Sequence, residues 1–378
     1  MVINPKNSDT DIAIFLPSLR GGGAERVCLL LANGFVQRGY KVDLVLVSAV
    51  GPYLKDIESG VRVIDLKSRR VFFAIPSLIR YFREQKPAAV LSALDHANAI
   101  AVFSKFLSRV SFSLVVSIHN TISVATKNNI SFRSKILSAL IPLVYKNADA
   151  VVAVSDGVAT DIKERFDCSK YLIHSIHNPV VTPAILKMAE KKVEHPWLQP
   201  CGKPLIIGVG RLTKQKNFHL LIRAFDRVRA QYPCRLVILG EGELRKDLEA
   251  LAEELGVADD ILLPGFQENP FAWMRTASLF VLSSDWEGLP TVLIEAMASG
   301  TPVVSTECPS GPSEILENGK WGRLVPCGDI KALADGILEA LMDKNPPDVA
   351  KRAQDFVVDR AVDKYLKVLL PQKQIHTL

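Results

Sequence analysis

Long apolar runs are missing from this 378-residue sequence. No stretch reaches the roughly eighteen consecutive apolar residues that a membrane-spanning helix requires, and the residues before Asp11 lack the apolar core of a secretory signal peptide. Cysteine is also scarce, and the six cysteines include no Cys-x-x-Cys pair. These absences predict a cytoplasmic globular protein whose thiols are reduced and mostly buried.

Several kinds of site are disfavoured because their motifs are absent. No His/Cys cluster has the spacing of a zinc site, and neither the Gly-x-Gly-x-x-Gly of dehydrogenases nor the phosphate loop of NTPases is present. Asp9-Thr10-Asp11 has the DxD pattern that holds a nucleotide-bound cation, but it precedes the first predicted strand, so we interpret it as a tail. Aromatic residues make up only 7% of the chain, too few for a base-stacking surface, and we expect no nucleic-acid partner.

Length and charge describe what is present. A chain of 378 residues predicts two domains, each large enough to bury a core. Residues 1–195 carry 25 Lys and Arg against 16 Asp and Glu, a net charge of +9, whereas the remainder carries 21 against 24, a net charge of −3. The basic half indicates either an anionic partner, such as a membrane surface or a lipid phosphate, or simply a solvated basic face.

A strand, a tight turn and a helix are predicted between Ala277 and Ala296. The apolar run 277–282 is typical of a buried parallel strand, and Pro290 is placed where a helix begins. Such a turn presents backbone N–H groups to an anion. Glu287 lies in the turn, and Glu295 should lie about 7–8 Å further along the helix. Two carboxylates so spaced suit the two ends of a nucleotide-sugar, although pairs of glutamates also occur at this spacing by chance.

Three further loops carry candidate binding residues. Gly21–Gly23 separates the first predicted strand from its helix and allows close backbone approach to a phosphate. Arg211 and Lys216, in a later strand–loop–helix unit that Asn217 could cap, suit a pyrophosphate. His119 ends the apolar strand 113–118, at the sheet edge where open α/β sheets bind ligands. The bland alternatives are a packing turn, surface cations and a structural histidine.

The motifs together resemble the retaining glycosyltransferases of family 4, which have the GT-B fold. The resemblance rests on Glu-Gly-Leu-Pro at 287–290 with Glu295, on Gly210-Arg211-Leu212 with Lys216, and on Gly-Gly-Ala-Glu-Arg at 22–26, and it covers nearly the whole chain. It implies an α/β protein of two facing Rossmann-like domains. We expect an acceptor-side domain over 1–182, a linker over 183–203 and a nucleotide-sugar-binding domain over 204–354. The closing helices are expected over about 329–342 and 348–370, and the segment from about 355 to 378 should cross back to the first domain.

The resemblance also implies roles for the residues. Glu287 would contact hydroxyls of the donor sugar, Glu295 would hold the ribose, and His119 would lie beside the anomeric carbon. Arg211 and Lys216 would neutralise the leaving diphosphate without a metal or any other cofactor. The remaining donor-binding residues that we expect are Gly21, Gly22, Gly210, Glu241, Phe266, Gly288 and Leu289.

Partners follow from the same resemblance. The donor would be a UDP-hexose or UDP-N-acetylhexosamine. The loop 308–315 resembles that of enzymes that build bacterial surface polysaccharides, including lipopolysaccharide, so the acceptor would be a glycan or a polyprenyl-diphosphate-linked glycan. The basic-apolar segments 69–73 and 132–137 suggest peripheral contact with an anionic membrane, at the inner face of the plasma membrane.

Two alternatives remain open. The chain could be another GT-B enzyme, such as an epimerase or a phosphorylase that carries pyridoxal phosphate on a lysine. It could instead be a catalytically silent nucleotide-sugar-binding or scaffold subunit of a polysaccharide assembly complex. Such a subunit should show a broken motif, whereas Arg211, Lys216, Glu287 and Glu295 are all present.

Overall fold

The computed structural model describes residues 10–119, 142–165, 172–198 and 202–371. The chain forms two compact units, one running to Pro179 and including the segment from Val358, the other comprising Val180–Val357. The expected boundaries were 182 and 355, and the expected linker 183–203 lies inside the second unit.

The first unit contains a parallel sheet of seven strands in the order β3-β2-β1-β4-β5-β6-β7. The strands are β1 (Ile12–Leu16), β2 (Val42–Leu46), β3 (Val61–Asp65), β4 (Ala89–Ala93), β5 (Ser113–Ile118), β6 (Ala150–Ala153) and β7 (Ile173–Ser175). The central strands are mostly apolar because helices cover both faces of a parallel sheet, and β1 is apolar and buried along its whole length.

Helices connect these strands. They are α1 (Gly23–Gln37), α2 (Ile75–Gln85), α3 (Asp95–Ser108) and α4 (Asp156–Arg165), with a helical stretch at residues 142–147 and a 3₁₀ turn at Val71–Ala74 before α2. The sheet and α1 enclose one hydrophobic core.

The second unit repeats the plan with six parallel strands in the order β10-β9-β8-β11-β12-β13. These are β8 (Leu205–Val209), β9 (Arg235–Leu239), β10 (Ile261–Gly265), β11 (Leu279–Leu282), β12 (Val303–Thr306) and β13 (Arg323–Val325). The helices are α5 (Pro183–Ala189), α6 (Phe218–Arg229), α7 (Arg245–Glu254), α8 (Pro270–Thr276), α9 (Thr291–Ala298), α10 (Pro312–Ile315), α11 (Ile330–Met342) and α12 (Val349–Ala353). Each sheet is thus a Rossmann-like α/β layer, as expected.

The expected linker differs from the structure because its first part is packed. Ile185 and Ala189 of α5 are buried, and the Asn269 side chain donates a 2.8 Å hydrogen bond to the Met188 carbonyl oxygen. These contacts tie α5 to the start of α8 and make it part of the second unit.

The last helix, α13 (Val358–Leu369), belongs to the first unit. Val362 packs on Gly34 of α1, where any side chain would overlap it, and Arg38 pairs with Asp359 and Asp363. The prediction of one helix over 348–370 is wrong. A 3₁₀ turn at Gln354–Phe356 and extended backbone at Val357, which bridges to Val181, separate α12 from α13.

Most of the described cysteines are buried, as expected. Of the cysteines, Cys28, Cys234 and Cys308 are buried free thiols, Cys327 is exposed, and Cys168 and Cys201 lie outside the described ranges. Within those ranges, every helix is too short or too polar to cross a membrane. Of the two segments expected to contact a membrane, 69–73 leads into the 3₁₀ turn before α2, and 132–137 lies outside the described residues.

Candidate functional site

The second sheet brings two loops together at the point where its strand order reverses. Strands β8 and β11 are neighbours, but the chain continues from β8 to β9 on one side and from β11 to β12 on the other. In open α/β sheets ligands bind outside the carboxyl ends of such strands. Here the loops that leave this edge are residues 210–217 after β8 and residues 283–290 after β11.

Lys216 and Glu287, one from each loop, form an ion pair. The Lys216 Nζ lies 2.6 Å from Glu287 Oε1, with side-chain exposures of 16% and 8%. The same carboxylate accepts hydrogen bonds from the Ser284 hydroxyl, at 2.7 Å, and from the Gln215 amide, at 3.4 Å. Both carboxylate oxygens are therefore held, and the lysine is held beside them.

Several further bonds lock the two loops to each other. The side-chain amide of Gln215 donates a hydrogen bond to the Trp286 carbonyl oxygen at 2.9 Å. The backbone carbonyl oxygen of Gln215 accepts one from the Asp285 backbone N–H, also at 2.9 Å. Asn217 donates to Asp285 at 2.8 Å, and Asn217 also caps α6, as predicted. Sequence reasoning did not identify Gln215 or Ser284, for which the only signal is that both loops are rich in polar side chains.

Glycines let the backbone pass closely here. A Cβ at Gly210 would lie 3.1–3.3 Å from three carbons of the Lys216 side chain, so the lysine stem lies across a bare backbone. Gly240 has φ of +138°, and a Cβ there would overlap the Gly210 carbonyl oxygen. Only glycine satisfies both demands at position 240.

The other donor-site residues expected from the second unit fall around these loops. Arg211 is exposed and has no side-chain hydrogen bond or ion pair among the described residues. Glu241 instead pairs with Arg245 at 3.0 Å. Phe266 follows β10 and is largely exposed. Of the expected donor-binding residues, Gly210 and Lys216 thus contact each other, whereas Glu241 is paired with Arg245.

The turn that precedes α9 is buried. Gly288, Leu289 and Glu295 are all shielded from solvent, and the Ser310 hydroxyl donates to the Gly288 carbonyl oxygen at 2.8 Å. Helix α9 begins at Thr291 with Pro290 as its N-cap, one residue later than expected. Glu295 is the fifth residue of this helix.

A buried thiol lies near the ion pair. Burial and, second, the Glu287 carboxylate raise the pKa of Cys308 well above its usual value, so this thiol stays protonated. A protonated thiol adds no negative charge beside Glu287.

In the first unit, His119 follows β5 and is linked to α13. Its Nε2 lies 3.0 Å from the Ser117 hydroxyl, which in turn lies 3.4 Å from the Tyr365 hydroxyl. Tyr365 is fully buried. Desolvation lowers the pKa of His119 to about 4, so the imidazole is neutral near pH 7.

The backbone amides of the glycine loop in the first unit already bond a carboxylate of the chain. The Glu25 carboxylate accepts hydrogen bonds from the backbone N–H groups of Gly21 and Gly22, at 2.9 and 3.1 Å, and from the Ser18 hydroxyl at 3.2 Å. The two amides expected to face the donor phosphate are therefore bonded to a side chain of their own helix. Sequence reasoning missed this role of Glu25, although glutamate at the third position of a helix is a capping-box signal.

Across the described ranges, no three His, Cys, Asp or Glu side chains are grouped closely enough to hold a metal ion. Metal independence stays a prediction for solution experiments.

Two family models match the chain. Glycosyltransferase Family 4 matches residues 21–182, and Glycosyl transferases group 1 matches residues 190–356. The chain belongs to this glycosyltransferase family and is a transferase of glycosyl groups with two GT-B-type α/β units.

The relatives with similar sequences are also named as glycosyltransferases. The N-acetylgalactosamine-N,N'-diacetylbacillosaminyl-diphospho-undecaprenol 4-alpha-N-acetylgalactosaminyltransferase of Campylobacter jejuni is 30% identical over 372 residues, which cover 94% of this chain and 99% of that protein. The lipopolysaccharide core biosynthesis glycosyltransferase LpsE of Rhizobium meliloti is 25% identical over 360 residues, with coverages of 93% and 96%. An uncharacterized glycosyltransferase of Methanocaldococcus jannaschii is 32% identical over 247 residues, which span 63% of this chain and 60% of the relative.

A solved structure supports the fold. Anabaena HepE, crystallised with UDP and glucose, superposes with a TM-score of 0.77 at 20% identity, covering 95% of this chain and 99% of HepE.

Proposed function

We propose that this glycosyltransferase moves a hexose or N-acetylhexosamine from a UDP-sugar to a polyprenyl-diphosphate-linked glycan, with retention of anomeric configuration. The transfer would serve bacterial surface polysaccharide or lipopolysaccharide synthesis at the cytoplasmic side of the membrane. The observation that carries the proposal is the Lys216–Glu287 pair, a cation and a carboxylate held at the switch point of the second sheet.

The donor assignment rests on charge and on the relatives. Lys216 and the exposed Arg211 supply two cations beside a tight turn, a combination suited to a diphosphate. HepE was crystallised with UDP, and the C. jejuni relative is named as an N-acetylgalactosaminyltransferase that acts on a diphospho-undecaprenol substrate. These names support a UDP-linked donor and a lipid-linked acceptor here.

The proposed chemistry uses charge stabilisation rather than a metal. Lys216 and Arg211 stabilise the charge that develops on the leaving diphosphate, while Glu287 orients the sugar and Glu295 holds the ribose. The acceptor hydroxyl attacks the face from which the diphosphate departs, and the departing phosphate oxygen takes its proton. The role predicted for His119, orientation of the sugar, stays a prediction that His119→Gln tests.

Donor binding would act on both members of the Lys216–Glu287 pair. Before the donor binds, Glu287 neutralises Lys216 at 2.6 Å. A diphosphate near Lys216 would compete with that carboxylate and leave Glu287 free to accept hydrogen bonds from sugar hydroxyls. Donor binding would thus prepare the carboxylate for its role.

The test is release of UDP from a panel of nucleotide-sugars, with a chelator and without added metal, in the presence of a polyprenyl-diphosphate glycan. We expect one UDP-sugar to be consumed, and NMR of the product to show the donor's anomeric configuration. Inversion would reject the retaining mechanism, and dependence on added Mg²⁺ would reject metal independence.

Glu287→Ala should abolish transfer while the protein remains folded. Glu249→Ala is the matched control because Glu249 is also ion-paired, to Arg245 at 3.0 Å, but is exposed on α7. Tight UDP-sugar binding without turnover in the unmodified protein would instead support the silent scaffold subunit.

A further inference from the structure

Three polar groups of the first unit form a short chain that ends at His119. The Tyr365 hydroxyl, on α13, lies 3.4 Å from the Ser117 hydroxyl, which lies 3.0 Å from His119 Nε2. Ser117 and Tyr365 are 1% and 0% exposed, so solvent hardly reaches either hydroxyl. Among the described residues, these two contacts are the only hydrogen bonds of the two hydroxyls.

Ser117 is itself held in position from two sides. It lies on β5 in register with Ala93 of β4, and its carbonyl oxygen accepts a 3.0 Å hydrogen bond from the Asn98 side chain of α3. Helix α13 contacts its hydroxyl through Tyr365. The serine that meets the imidazole is therefore fixed by a strand and two helices.

The number of protons in this chain decides which nitrogen of His119 is protonated. The two contacts accommodate two donated protons, and the Ser117 and Tyr365 hydroxyls carry one each. Both protons are used only if Tyr365 donates to Ser117 and Ser117 donates to His119 Nε2. A hydrogen on Nε2 would be a third donor for two contacts and would leave one buried donor without an acceptor, which is costly.

The charge state of His119 agrees with this assignment. Desolvation lowers the pKa of His119 to about 4, so near pH 7 the imidazole is neutral and carries a hydrogen on one nitrogen only. Among the described residues Nδ1 makes no hydrogen bond, so it is the nitrogen that remains for a ligand.

We propose that Ser117 is a positioning residue that holds His119 as its Nδ1–H tautomer, and that Tyr365 directs the Ser117 proton to Nε2. His119 then offers a ligand an N–H donor at Nδ1, and the ligand atom that it binds is an oxygen with a lone pair, such as that of a sugar hydroxyl. Since Nδ1 has no free lone pair and Nε2 is bonded to Ser117, His119 is not a general base. The proposed transfer is consistent with this, because the departing phosphate oxygen takes the acceptor's proton there.

The tautomer depends on the first unit alone, and only its part in sugar transfer rests on the proposed function. The test is NMR of the full chain labelled with ¹⁵N-histidine, near pH 7. Correlations between ring protons and ring nitrogens identify the tautomer, and His119→Gln assigns the His119 signals among those of the seven histidines. We expect the Nδ1–H form to be favoured by about fivefold or more. A wild-type protein with its hydrogen mainly on Nε2 would overturn the proposal.

Two variants test the two hydroxyls. Ser117→Ala leaves both nitrogens of His119 without a partner among the described residues, so both tautomers should become populated. Tyr365→Phe should reduce the preference by a smaller factor, because Ser117 keeps its proton but loses the group that directs it. An unchanged ratio in Ser117→Ala would overturn the proposal, and an unchanged ratio in Tyr365→Phe would overturn the role of Tyr365.

Tyr81→Phe is the matched control. Tyr81 is also a buried tyrosine of the first unit, and its hydroxyl donates a 2.6 Å hydrogen bond to Asp43, away from this chain of contacts. Its loss should leave the His119 tautomer unchanged. A shift as large as that in Tyr365→Phe would mean that losing any buried hydroxyl loosens the unit, which would also overturn the role of Tyr365.

Transfer kinetics separate this proposal from the proposed function. Ser117→Ala should lower kcat by about twofold or more, because only part of the protein then carries the competent tautomer, while the affinity for UDP stays unchanged. If the wild type shows the Nδ1–H tautomer but transfers no sugar, the positioning role stands and the assigned chemistry fails. If sugar is transferred while His119 carries its hydrogen on Nε2, the proposed function stands and the positioning role fails.

Discussion

Replacing Glu287 by glutamine should destabilise the second unit while strengthening its binding of UDP. The change removes the negative charge 2.6 Å from the Lys216 ammonium. Exposed ion pairs contribute about 0.2–1 kcal/mol and breaking a buried pair costs about 3–5 kcal/mol. Since Lys216 keeps 16% of its side-chain exposure, we expect an intermediate loss of about 2 kcal/mol in the free energy of unfolding.

Glu287→Gln should strengthen UDP binding although it lowers stability. UDP lacks the transferred hexose, so it loses no contact with Glu287 when that residue is replaced, and its diphosphate no longer competes with the Glu287 carboxylate for Lys216. We expect UDP to bind about tenfold more tightly to Glu287→Gln, equivalent to 1.4 kcal/mol, while transfer activity is lost. Lys216→Met should bind UDP more weakly than wild type.

The stability assay can report on one unit alone. All four tryptophans, Trp197, Trp273, Trp286 and Trp321, belong to the second unit, so urea unfolding followed by tryptophan fluorescence monitors that unit. Titration calorimetry gives the UDP affinity. A double-mutant cycle with Lys216→Met should return a coupling free energy of about 2 kcal/mol. Weaker UDP binding by Glu287→Gln, or a coupling near zero, would refute the reasoning.

Three further changes test other parts of the molecule. Ser284→Ala removes the 2.7 Å hydrogen bond to Glu287, so kcat should fall several-fold while UDP affinity is unchanged; a loss of UDP affinity would argue for a merely structural serine. Gly240→Ala would drive a Cβ into backbone and should cost about 3 kcal/mol or prevent folding, whereas Gly256→Ala, with positive φ but open space, should cost about 1 kcal/mol in the same tryptophan-fluorescence assay. Because burial lowers the pKa of His119 to about 4, the unfolded state binds one more proton between about pH 6.5 and 4 and stability falls as pH falls, by up to about 1.4 kcal/mol per pH unit. Unfolding followed by circular dichroism should show that His119→Gln loses this part of the pH dependence; identical slopes for the two proteins would contradict it.

Most strands were predictable from sequence, whereas β13 was not. Strand β5 has the expected bounds, Ser113–Ile118, because its sequence is mostly apolar, as is typical of a buried parallel strand. Strand β13, Arg323–Val325, was missed because it is three residues long, lies at the sheet edge and is only partly buried.

The residues of the candidate site were also predictable only in part. Lys216 and Glu287 stand out by residue type beside predicted turns, and the structure brings them into contact. Gln215 gains its role only because β8 and β11 become neighbours, a pairing of residues some seventy positions apart that no local pattern encodes. Ser284 contacts Glu287 within one loop, three residues away, but many serines have a carboxylate at that spacing. Glu25 could have been found from its helix position, and it occupies the amides that were assigned to a phosphate.

The placement of α13 has a consequence for biosynthesis. The core of the first unit includes Val362, Tyr365 and Leu369, which the ribosome adds only after the whole second unit, Val180–Val357, has been made. At roughly 10 residues per second, strands β1 to β7 wait on the order of twenty seconds for the helix that closes their core. The unit that begins the chain is therefore completed last, and a nascent protein stopped before Val358 would expose the apolar side chains of α1 to chaperones and proteases.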